Sequence, residues 1–188
     1  HMVQTGIIPN SVAISLAVPF APWVKKLCDP STKFIIISDK DMELEAIARL
    51  ARVGYENCLG YLDGGIEEWK KQGGEVTMID VIDPKDLVNM PPEKAKDMQV
   101  LDIRNPTEWK LNGVNEGSLL ISLKELKWRL SELDKNKHYQ IMCASGMRAK
   151  IAFSLLRRWG FEKVTVIEGG ANQLKKEGAK FVEFKELQ

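Results

Sequence analysis

Cys143 stands where a thiol could act as a nucleophile. It opens the run Cys143-Ala144-Ser145-Gly146-Met147-Arg148. The apolar segment Tyr139 to Met142 precedes it and the apolar-periodic segment Ala149 to Trp159 follows, which predicts strand, tight loop and helix. Such a loop sets the sulfur at the end of a buried strand, against the amino end of a helix. Consecutive backbone N–H groups there curl into an anion-binding cup, and the helix dipole adds positive potential. Both favour thiolate over thiol, so a reactive and reachable cysteine is expected. Gly146 lets the chain turn around the sulfur without a Cβ clash. Arg148 closes the loop and can pair with an anionic substrate.

The elements that must hold this loop are repeated in the sequence. Ala46-Ile47-Ala48-Arg49-Leu50-Ala51-Arg52-Val53-Gly54 matches Ala152-Phe153-Ser154-Leu155-Leu156-Arg157-Arg158-Trp159-Gly160. Tyr61-Leu62-Asp63-Gly64-Gly65 matches Val166-Ile167-Glu168-Gly169-Gly170, and Lys70-Lys71-Gln72-Gly73 matches Lys175-Lys176-Glu177-Gly178. The interval is about 105–107 residues, too long for a solenoid repeat, so two copies of one domain are expected, 3–75 and 76–188. In the first, a helix near Pro19–Leu27, a strand at Phe34–Ile37, a helix from Glu43 to Val53, a strand from Asn57 to Leu62 and a short helix to Lys71 are expected. In the second, Gln99–Ile103 is a strand and Pro91-Pro92-Glu93-Lys94 a loop. Asn105-Pro106-Thr107-Glu108 starts a helix. Ser122-Leu123-Lys124-Glu125 reads as a capping box for a helix to about Leu133. The 139–142 strand, the 149–159 helix, the 163–167 strand and a final helix complete the copy. Strands alternating with helices imply an α/β fold with a parallel sheet covered on both faces, functional loops lying at the carboxyl ends of strands. The first copy has no room for a counterpart of the Gln99–Ile103 strand. It is therefore expected to be incomplete at its amino terminus, because its natural parent is longer or because the chain was trimmed.

Composition narrows the partners. The chain has 188 residues and a net charge of +1, so bulk charge argues for neither nucleic acid nor an anionic membrane. No apolar run approaches the roughly 20 residues that span a bilayer. The three cysteines, Cys28, Cys58 and Cys143, show no paired spacing, which favours a reducing, cytoplasmic setting over a disulfide scaffold. With two histidines, one in the pair His1-Met2 read as a cloning remnant, no built-in histidine metal site is expected.

Val100-Leu101-Asp102-Ile103-Arg104, then Cys143 to Arg148, then Glu168-Gly169-Gly170 together resemble the rhodanese (sulfurtransferase) family. Gly6-Ile7-Ile8-Pro9 is similar to that family's Gly-His-Ile-Pro motif with Ile7 in place of histidine, and Leu62-Asp63-Gly64-Gly65 with Trp69 to its closing motif. The second copy departs at Val114-Asn115-Glu116 and at Leu174. The first departs where chemistry would occur. Ile37 or Ser38 falls opposite Cys143, and Ser38-Asp39-Lys40-Asp41-Met42-Glu43 has no thiol and no arginine. Its three carboxylates would repel an anionic donor. The resemblance thus implies a degenerate domain followed by an active one.

The activity so implied is transfer of a sulfane sulfur from thiosulfate or a low-molecular-weight persulfide to cyanide, sulfite or a thiol. Cys143 would carry it as a persulfide held by the N–H groups of Ala144, Ser145, Gly146, Met147 and Arg148, with no metal or organic cofactor. Four residues between Cys143 and Arg148 make a smaller ring than the five of cysteine phosphatases on related folds. Asp102 and Arg104 are read as an ion pair bracing the loop, or as a cap on the strand end. The tandem, and the stretch Ala51 to Asn57, also resemble the tail of a fusion with a metallo-β-lactamase-like persulfide dioxygenase. That would imply a role in sulfide and persulfide detoxification, with the iron domain lying outside this chain. The alternative is a non-enzymatic docking or regulatory module. Cys28 and Cys58 are read as core residues, Trp109 and Trp128 as packing, and His138 as an exposed bystander.

Overall fold

The computed structural model describes residues 6–185; the His1-Met2 reading and the start of the first domain at residue 3 lie outside them. The chain divides into two compact units, at Met78/Ile79.

The first unit contains α1 (Phe20–Leu27), β1 (Phe34–Ile36), α2 (Glu43–Ala51), β2 (Cys58–Tyr61) and α3 (Gly65–Lys71). β1 and β2 pair in parallel. Ile36 faces Phe20, Val24, Ala46, Leu50 and Tyr55, which form the buried cluster of this unit. Cys28 and Cys58 are half-buried at its margin. Ile35, Ile37, Leu59 and Tyr61 alternate with the inward residues and are exposed, as period-two geometry requires.

The second unit runs β3 (Val81–Ile82), α4 (Pro84–Val88), α5 (Pro92–Ala95), β4 (Met98–Asp102), α6 (Pro106–Asn112), β5 (Val114–Asn115) and β6 (Leu119–Leu120). A 3-10 turn at Leu130–Glu132 precedes β7 (His138–Met142), α7 (Met147–Arg158), β8 (Val164–Ile167), α8 (Gly170–Lys176) and β9 (Phe181–Val182). Five strands form one parallel sheet in the order β3-β8-β7-β4-β6, and β5 pairs with β9 in an antiparallel ladder. β7 is central. Its residues from Tyr139 onward are buried, as are all four of β8, the signature of strands covered on both faces. The register places Asp102 beside Met142, so β4 and β7 end level.

Two segments differ from the sequence reading. Pro92–Ala95 is a one-turn helix, because proline at its first position needs no N–H partner. Residues 123–129 form successive turns instead of an α-helix. Leu123 N–H is bonded to the Ile103 carbonyl at the strand end, and the Ser122 hydroxyl donates to the Glu125 carboxylate, at 3.0 and 2.8 Å. The capping side chains satisfy each other and not the helix start. In consequence Trp128 is 78% exposed, with Lys127 over its ring, and is not a packing residue. His138 begins β7 as expected but is half-buried, bonded through Nε2 to Thr165 Oγ1 at 2.7 Å, so it is not a bystander.

Candidate active site

β7 ends at Met142 and α7 starts at Met147, so the intervening loop is the strand-to-helix turn anticipated around Cys143. Gly146 caps the helix with φ 86°, a conformation that costs other residues energy. In that conformation its N–H donates to Cys143 Sγ at 3.1 Å. The helix amino end is thus aimed at the sulfur. Ser145 is exposed, while Ala144 and Met147 are half-buried. The sulfur is less open than expected: Cys143 is 1% exposed. Strand burial on both faces continues one residue past β7.

A second element, missed in the sequence, supports the loop from behind. The first N–H groups of α8 bond its carbonyls: Ala171 to Cys143 O at 2.7 Å and Asn172 to Ala144 O at 3.1 Å. This satisfies donors that a helix start leaves free. The approach needs glycine at position 170, where a Cβ would lie 2.2 Å from Cys143 O. The repeated Gly-Gly pair was the available signal. The first unit repeats the arrangement, a Cβ on Gly65 meeting Ser38 O at 2.5 Å. Ser38 is therefore the counterpart of Cys143, and the alternative, Ile37, is not.

Arg148 does not present a free charge at the loop mouth. Its Nη1 and Nη2 donate to Glu108 Oε2 and Oε1 at 2.7 and 2.6 Å, a bidentate pair. Glu108 belongs to α6, where the same carboxylate accepts from Asn105 N–H at 3.0 Å and caps the helix. The Arg148 hydrogen bonds hold the Glu108 carboxyl below the usual carboxylate range. Arg148 is raised, first by Glu108 and also by the adjacent Cys143. In the sequence Glu108 stands only as a helix-start residue.

Asp102 and Arg104 are buried, at 0% and 2% exposure, and form an ion pair. Arg104 Nη2 donates to Asp102 Oδ2 at 2.6 Å and to the Gly113 carbonyl at 2.8 Å, and its backbone N–H to Asp102 Oδ1 at 3.0 Å. Between them Ile103 N–H donates to Met142 O at 2.9 Å. The pair fixes the turn that joins β4 to the helix bearing Glu108. Among the described residues no group of three His, Cys, Asp or Glu side chains could hold a metal ion, and no helix is long and apolar enough to cross a membrane.

The model of the rhodanese-like domain matches residues 3–72 and 83–177, and the chain belongs to that family. It is 30% identical over 106 residues to a tRNA sulfurtransferase of Histophilus somni, 54% of this chain but 19% of that protein. A Bacillus subtilis protein provisionally named a sulfur carrier is 22% identical over 177 residues, covering 90% of this chain and 95% of its own length. A solved rhodanese-related protein from Thermoplasma volcanium is 31% identical over 55% of this chain and 97% of its own, with a TM-score of 0.49.

Proposed function

We propose that the second unit is a sulfurtransferase that carries a sulfane sulfur on Cys143. The observation that carries this reading is the Gly146 N–H bonded to Cys143 Sγ at the amino end of α7. A donor at that position stabilises thiolate and then the outer sulfur of a persulfide. The Cys143 thiolate attacks the outer sulfur of a donor, the S–S bond within the donor breaks, and the donor leaves as sulfite or thiolate with the bonding electrons. A nucleophilic acceptor then attacks the outer sulfur of the Cys143 persulfide and regenerates the thiolate. Ping-pong kinetics follow from this sequence. The sulfur-handling names of two relatives support the class of reaction, and neither fixes the acceptor. Persulfide clearance beside a dioxygenase domain is the cellular role we infer, from motif likeness alone. The first unit, with Ser38 in the cysteine's place and Asp39, Asp41 and Glu43 around it, is on this reading non-catalytic.

Burial of Cys143 favours a second reading, a docking module without turnover. Initial-rate kinetics over a grid of donor and cyanide concentrations separate the two. Parallel double-reciprocal lines, lost in Cys143→Ser, support transfer; no turnover with thiosulfate, a thiosulfonate or a persulfide supports docking.

A further inference from the structure

Glu108 changes what Arg148 can offer a substrate. Both terminal nitrogens of the guanidinium are engaged by one carboxylate at 2.6 and 2.7 Å, and the pair is half-buried. A carboxylate at that distance cancels most of the cation's long-range attraction, while the guanidinium still hydrogen-bonds the Cys143 side chain beside it. The carboxylate is not a mobile counterion, because Asn105 N–H and Nδ2 hold Glu108 Oε2 at 3.0 and 3.2 Å and anchor it to α6. The groups left to attract an anion to the loop from a distance are therefore backbone N–H dipoles and the helix end, which together amount to a fraction of a unit charge.

Resting on the sulfurtransferase reading, we propose that Glu108 is a specificity-determining residue: by neutralising Arg148 it tunes the Cys143 loop to monoanionic or neutral sulfane donors and against the thiosulfate dianion. Two donors of the same chemistry isolate charge. Thiosulfate transfers its outer sulfur and leaves as the sulfite dianion; methanethiosulfonate, a monoanion, transfers the same sulfur and leaves as methanesulfinate. In each case the S–S bond of the donor breaks, the leaving group keeps the electron pair, and charge balances with a Cys143 persulfide anion.

The test is kcat/KM for the two donors in the full chain, with cyanide as acceptor. Wild type should prefer methanethiosulfonate. Glu108→Gln retains an oxygen for the Asn105 N–H and leaves Arg148 uncompensated. It should raise the thiosulfate-to-thiosulfonate ratio about tenfold, given the size of a one-charge change at close range. The gain should reside in KM and shrink with added salt. The double variant Glu108→Gln/Arg148→Gln, neutral again, should return the ratio to the wild-type value. A structural role alone would lower both donors together and leave the ratio fixed. A ratio unmoved by Glu108→Gln, or a double variant that keeps the single variant's ratio, overturns the proposal while leaving sulfur transfer standing. Wild type that transfers from neither donor overturns the reading beneath it.

Discussion

Gly170 touches Cys143 through backbone alone: a Cβ at position 170 would sit 2.2 Å from the Cys143 carbonyl oxygen. Gly170 also has φ 58°, so substitution there meets both a clash and an unfavourable conformation. Gly170→Ala should cost about 2–4 kcal/mol in urea denaturation and depress sulfur transfer beyond the loss of folded protein. Gly65→Ala, whose Cβ meets Ser38 O at 2.5 Å, should destabilise the first unit and spare the activity. Equal loss of activity in both variants would refute the distinction.

The ion pair of Asp102 and Arg104 has no solvent to fall back on. Arg104→Ala leaves a buried carboxylate without its partner and should cost about 3–5 kcal/mol, measured as a shift in the denaturation midpoint. Asp102→Asn should behave alike, because the guanidinium is then uncompensated.

Glu108 supplies a pH signature. Its carboxyl is held below its ordinary pKa of 4.5, first by the Arg148 hydrogen bonds. A depressed carboxylate contributes stability that is complete above the unfolded value and is lost as pH falls through the folded one. Thermal midpoints of wild type should therefore drop below pH 4.5, and Glu108→Gln should flatten that drop.

His138 acts in a higher window. Burial lowers its pKa from 6.5, Lys163 adds to the effect and Asp80 opposes it. The unfolded chain then binds the proton more readily, so stability is full above pH 6.5 and declines as pH falls below it. His138→Gln should remove this decline while keeping a partner for Thr165. A wild-type denaturation midpoint that is constant across that window would contradict the assignment.

The central sheet was legible because its strands are short apolar runs, and α7 because its apolar positions keep helical spacing. The segment after Ser122 was not. Leu123, Leu126 and Leu130 follow a helical interval, yet the Leu123 N–H is taken by the end of β4, a tertiary bond no local pattern records. Cys143, Gly146 and Arg148 could be named from sequence because the loop is contiguous. Glu108 could not, since its partner lies on another helix, 40 residues away in sequence. The burial of Cys143 likewise depends on how both sheet faces are covered.

Intact-mass measurement is the sharpest test of sulfur carriage on Cys143. Protein incubated with a thiosulfonate or a low-molecular-weight persulfide should gain the mass of one sulfur atom, mapped to the peptide bearing Cys143. Cyanide should strip it, and Cys143→Ser should never acquire it. A wild-type mass unchanged by every donor, or a sulfur retained in Cys143→Ser, would contradict a sulfur-carrying role for this loop.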